Sequence, residues 1–193
     1  MARLPAPLPF DQQVAIFSRL REANPRPESE LNFSNPFTLV VAVALSAQAT
    51  DLGVNKATRE LFAVADTPRK MLDLGLDGLT GHIRTIGLYR QKARNVIALS
   101  RILVEEYGGV VPDSRAALMS LPGVGRKTAN VVLNSAFGQP AQAVDTHIYR
   151  VGNRTRIETG HGCIQVPLSQ GAHGGEQVHL WTRCLGGFLP PST

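Results

Sequence analysis

The stretch Leu118-Met119-Ser120-Leu121-Pro122-Gly123-Val124-Gly125-Arg126-Lys127-Thr128-Ala129-Asn130 decides the reading of this chain. Ser114 caps a short helix that runs to Met119, and Leu121 to Gly125 form a tight turn. A second helix begins near Arg126 and carries Ala129, Val132, Leu133 and Ala136 on one face, until Gly138 and Pro140 stop it. Glycines at 123 and 125 admit positive φ and a close approach of backbone to ligand. The amides of the turn and of the next helix's first residues point outward, and the helix dipole there favours an anion such as a phosphate. A plain αα-hairpin with a glycine turn would leave the same trace. A nucleotide-binding P-loop would not. It needs Gly directly before Lys, a second Gly upstream and a preceding strand, whereas Arg126 intervenes and Leu121 stands upstream.

Outward from this turn the chain reads as short helices, with no alternating strand pattern; the expected class is all-α. Asn35 and Pro36 open a helix carrying Phe37, Val40, Val41, Ala44 and Leu45. Asp51 is expected to cap the next, with Val54, Thr58 and Leu61 inward, and Thr67-Pro68 to start a short third one. The longest carries Ala93, Val96, Ile97, Ser100, Leu103, Val104 and Tyr107 before Gly108. Asp145 opens a last helix through Ile148 and Val151.

The chain has 193 residues, with 20 Lys and Arg against 15 Asp and Glu, hence a net charge of +5 that makes a polyanion a natural partner. Nothing approaches the apolar length of a membrane span, and prolines 5, 7 and 9 deny Met1–Phe10 a signal-peptide core. Cys163 and Cys184 are too few for a disulfide scaffold, so a cytoplasmic location, at the nucleoid for a DNA-binding protein, is the expectation. No membrane partner is expected.

Leu121-Pro122-Gly123-Val124-Gly125-Arg126-Lys127-Thr128-Ala129 resembles the helix-hairpin-helix of the endonuclease III family of base-excision DNA glycosylases. Val144-Asp145-Thr146-His147 resembles the family's second catalytic element. Leu45-Ser46-Ala47-Gln48-Ala49-Thr50-Asp51 and Ile86-Gly87-Leu88-Tyr89 match two more family segments in the right order. The similarity runs from about Phe17 to Thr155. It implies a helical barrel domain over 29–139 with the helix-hairpin-helix at 114–137, and an incomplete second helical domain from 1–28 plus 140–158.

The resemblance also implies an activity: removal of oxidised pyrimidines by base flipping, then strand cleavage at the abasic site. The partner would be double-stranded DNA carrying damaged bases or abasic sites, bound by a monomer. Lys127 matches the nucleophilic lysine. To attack, its amine must be unprotonated, and both the neighbouring Arg126 and the positive end of a helix disfavour the ammonium charge, with partial burial adding to both. The residues alone leave a phosphate-binding lysine equally open. Asp145 matches the catalytic carboxylate, a role compatible with capping a helix. Gln48 and Leu88 match the residues that fill the vacated space and wedge the opposite strand. Gly123, Val124, Gly125, Arg126 and Thr128 would hold the phosphate, and His147 would orient the site. A non-catalytic DNA-binding remnant and a related adenine glycosylase are the alternatives; Lys127 argues against the latter.

The departure from the family lies at the end. The family's [4Fe–4S] cluster needs four thiolates, and two distant cysteines cannot supply them, so the cluster is expected to be absent. His161, Cys163, His179 and Cys184 fit no common zinc spacing, so no metal is expected. The tail, 159–193, is Gly-rich with Glu176 and Arg183 as its charges from 160 onward. It is expected to be poorly ordered and to replace the family's C-terminus, as a frameshift would, leaving Val14, Phe17 and Leu20 without a partner surface.

Overall fold

The computed structural model describes residues 6, 8–25 and 29–157. The expected poor order of 159–193 lies outside them. Among the described residues the chain is entirely helical, which agrees with the expected class. The helices are α1 (Phe10–Ala23), α2 (Pro36–Ser46), α3 (Asp51–Val64), α4 (Pro68–Ile83), α5 (Tyr89–Tyr107), α6 (Arg115–Ser120), α7 (Arg126–Phe137) and α8 (Thr146–Thr155). No described helix is long and apolar enough to cross a membrane. The described residues fall into two compact units, 30–138 and, in the other, those of 6–29 with 139–157.

The 30–138 unit is built around α2. Asn35 caps it reciprocally: its side chain accepts from the Thr38 amide at 2.9 Å, while its own amide donates to Thr38 Oγ1 at 3.0 Å. Pro36 occupies the first turn, where a missing N–H costs nothing. Phe37 to Val43 and Leu45 are all buried, so α2 is apolar on every side and packs against α3, α5 and α7. Asn35 Nδ2 also donates to the Asp66 carbonyl at 2.9 Å, tying the start of α2 to the α3–α4 connection.

One local expectation needs correction. Thr50, not Asp51, caps α3, because its hydroxyl accepts from the Gly53 amide at 3.2 Å while Asp51 is already helical. The helix opened by Thr67 and Pro68 is short, as expected: the backbone leaves the helical state at Gly75 (φ 72°, ψ 175°), and a second helical stretch of α4 continues from there to Ile83. Glycines at 75, 78 and 81 weaken the helical pattern of its second half, and Leu79 and Ile83, fully buried, hold it in place.

In the other unit, α1 and α8 are described. The Leu8 amide donates to the Arg156 carbonyl at 2.8 Å, linking the approach to α1 with the end of α8. Val14 is exposed, as expected, but Phe17 is buried at 5% exposure and so does not lack cover.

Candidate functional site

The turn between α6 and α7 is a glycine hairpin whose two glycines differ. Gly123 has φ +81°, and a Cβ there would lie 3.0–3.4 Å from the Asn95 side chain, so the position needs glycine twice over. Gly125 is extended (φ −89°, ψ 178°), so of the two only Gly123 uses the positive φ that glycine admits. A Cβ on it would meet nothing within 4 Å, so it leaves open space in front of the α7 N-terminus.

Val124 lies on the inner side of the hairpin. Its side chain is buried and its amide donates to the Leu121 carbonyl at 3.1 Å, so it anchors the hairpin from inside. Arg115 Nε donates to Asn130 Oδ1 at 2.9 Å, clasping α6 to α7. The helical ladder of α7 begins with the Ala129 amide on the Gly125 carbonyl at 2.9 Å. Arg126, Lys127 and Thr128 thus occupy the first turn, where the helix dipole presents positive potential. The Arg126 and Lys127 side chains are exposed, so the partial burial expected for Lys127 is not found within the chain itself.

Gln48 and Leu88 share an uncommon backbone state. Among the described residues, three non-glycine positions have positive φ, and these are two of them: Gln48 at 55° and Leu88 at 59°. A left-handed residue costs roughly 1–2 kcal/mol, so the surrounding structure must enforce it. Both side chains are exposed, Leu88 at 66%. An ordinary core leucine is thereby excluded. The structure brings the two loops together, since a Cβ on Gly87 would lie 3.7 Å from the Gln48 carbonyl oxygen.

The first turns of α5 connect these parts. Gln91 Nε2 donates to Asn95 Oδ1 at 3.0 Å, and Asn95 packs on Gly123 of the hairpin. Lys92, buried at 8% exposure, donates from Nζ to the Leu45 carbonyl at 2.9 Å. Burial holds its ammonium below the ordinary lysine value. Sequence reasoning missed Lys92, Asn95 and Arg115. For Lys92 a signal existed: a lysine one turn before Val96 on the apolar stripe of α5.

Asp145, in the other unit, is the N-cap of α8. Its Oδ1 accepts from the His147 amide at 3.0 Å and the Ile148 amide at 2.9 Å, and the carboxylate is half-buried. His147 enters this cap through its backbone, and its ring is exposed. Among the described residues no group of three or more His, Cys, Asp or Glu could hold a metal ion.

Residues 41–163 match the profile of the HhH-GPD superfamily of base excision DNA repair proteins, so named for the helix-hairpin-helix. The chain belongs to this superfamily. Within the HhH-GPD proteins it is 60% identical to endonuclease III of Escherichia coli K12 over 155 residues, 80% of this chain and 74% of that protein. Identity to endonuclease III of Haemophilus influenzae is 58% over the same shares. The fold matches a non-covalent endonuclease III–DNA complex with a TM-score of 0.81 at 41% identity, covering 92% of this chain and 85% of the other. A trapped endonuclease III–DNA covalent intermediate matches at 0.79 with the same identity and coverage. As an HhH-GPD protein of the endonuclease III type, the chain is a base-excision DNA glycosylase with abasic-site lyase activity.

Proposed function

We propose that this chain removes oxidised pyrimidines from double-stranded DNA and cleaves the strand at the resulting abasic site, with Lys127 as nucleophile and Asp145 as the assisting carboxylate. The observation that carries this reading is Lys127 itself: an exposed amine in the first turn of α7, beside the open Gly125 edge of the hairpin.

The extruded nucleotide presents C1′ to the amine, whose lone pair forms the C–N bond as the base departs with the glycosidic electrons. Ring opening gives an iminium. Loss of the C2′ proton then expels the 3′-phosphate, and water returns the free amine. Asp145, whose Oδ1 accepts from two amides at the start of α8, would stabilise positive charge growing on the sugar and assist removal of the proton from the attacking amine. The phosphate rests on the hairpin of Gly123, Gly125, Arg126 and Thr128, while Gln48 fills the vacated stack and Leu88 wedges the opposite strand. His147 orients the site. The protein works as a monomer at the nucleoid in the cytoplasm.

The family's [4Fe–4S] cluster does not fit this chain, whose two cysteines cannot supply four thiolates, and no step depends on one. Purified protein is expected to contain no stoichiometric iron and no broad visible absorbance; either would contradict this.

The test is incision of a duplex carrying an oxidised thymine. Expected are release of the oxidised base and a 3′ end bearing the unsaturated aldehyde of β-elimination. Excision of adenine from opposite an oxidised guanine, without strand cleavage, would instead identify the related adenine glycosylase.

A further inference from the structure

Lys92 sits where an apolar residue would be expected. Its α5 face is otherwise formed by Ala93, Val96, Leu99 and Leu103 with the small Ser100, all fully buried. Taking an ammonium out of water is costly, and a methionine of similar volume would fill the space without that cost. What the lysine side chain adds is one bond that a methionine could not make, on a residue whose backbone already bonds to the second loop. Its Nζ donates at 2.9 Å to the Leu45 carbonyl, in the last turn of α2 and three residues before Gln48. That carbonyl belongs to the helix end, where intrahelical donors run out. Its own amide donates at 3.1 Å to the carbonyl of Leu88. One residue therefore bonds to both loops that hold left-handed, exposed side chains, and the loops meet where Gly87 lies against the Gln48 carbonyl.

We propose that Lys92 is a positioning residue for duplex opening: it fixes the Gln48 loop and the Leu88 loop at one separation, so that plug and wedge enter the DNA together. This rests on the reading of Gln48 and Leu88 as the residues that enter the duplex. Extrusion must unstack and unpair the base, and it is cheapest where the base is already poorly paired. Loosening the pair of loops should therefore be felt most where the lesion is well paired. The hairpin that grips phosphate and the amine of Lys127 remain as they are.

The test compares Lys92→Met with the parent protein on an oxidised thymine opposite adenine and on the same lesion in a mismatch or bulge. A fluorescent 2-aminopurine beside the lesion reports unstacking. Excision of the paired lesion should fall by about 10–100-fold, the scale of a small misplacement of positioned groups. It should fall much less on the mispaired one. The fluorescence rise should shrink while affinity for undamaged duplex and melting temperature hold or increase. Equal losses on the two substrates, or no loss, would overturn the proposal. So would a large fall in melting temperature in both Lys92→Met and Lys92→Gln, which would make the amine a strut of the fold. Gln48→Ala and Leu88→Ala separate the two layers. If they leave paired excision intact, the reading of the loops fails and the proposal with it. If they lower it while Lys92→Met does not, the failure belongs to Lys92 alone.

Discussion

A Cβ on Gly123 would press on the Asn95 side chain in a backbone state that L-residues avoid, whereas a Cβ on Gly125 would enter open space. Their substitutions should separate cleanly. Gly123→Ala is expected to cost roughly 1–3 kcal/mol of stability in a denaturant titration. Gly125→Val should cost about 1 kcal/mol or less yet weaken DNA binding across all sequences alike. Because it removes no charge, the slope of affinity against salt should stay unchanged. A Gly125→Val protein that altered lesion preference and kept its affinity would contradict the phosphate role. Asp145 offers a parallel separation. Asparagine caps a helix as well as aspartate does, so Asp145→Asn should hold its melting temperature and lose about 10²–10⁴-fold in excision rate. Asp145→Ala should lose that activity and also about 0.5–2 kcal/mol of stability. Retained excision in Asp145→Asn would reduce this residue to a cap.

Lys92 adds a dependence on pH. Burial lowers its proton affinity in the folded protein, while the unfolded chain titrates near the ordinary ~10.4. Between the two values the unfolded state holds the extra proton, so stability rises with pH across that window. Its full benefit is present above ~10.4 and is lost as pH falls through the depressed native value. The stability advantage of Lys92→Met over the parent should therefore be largest at neutral pH and shrink as pH climbs toward 10. Thermal melts from pH 7 to 10 measure this, and an advantage that grows with pH would contradict it.

At the scale of elements, the helices legible in the sequence were those with chemical punctuation. Asn35-Pro36, Thr67-Pro68, Ser114 and Asp145 mark starts, and Gly108 and Gly138 mark ends, each for a local reason that needs no tertiary contact. The second stretch of α4, beyond the Gly75 break, was not legible, because glycines at 75, 78 and 81 interrupt the pattern and burial of Leu79 and Ile83 sustains it. Thr50 and Asp51 are adjacent residues of similar capping ability, and spacing could not choose between them. The site followed the same division. Lys127 and Asp145 stand in local motifs that sequence displays. The left-handed state of Gln48 and Leu88, the inward turn of Val124 and the bridge from Lys92 to Leu45 depend on α2, α5 and the hairpin packing together.

For the whole molecule, the residues assigned to chemistry fall in different compact units, Lys127 in 30–138 and Asp145 in the other. The chain covers 74% of its Escherichia coli relative, and the match spans both assigned residues. The central claim is that the amine of Lys127 forms the covalent link to the sugar. Borohydride reduction in the presence of abasic-site duplex tests it most directly, because only an imine is captured. The parent protein should give a stable cross-linked species. Lys127→Gln should give none while still binding undamaged duplex, since the hairpin amides are untouched. A cross-link of undiminished yield in Lys127→Gln would show that another amine carries the reaction.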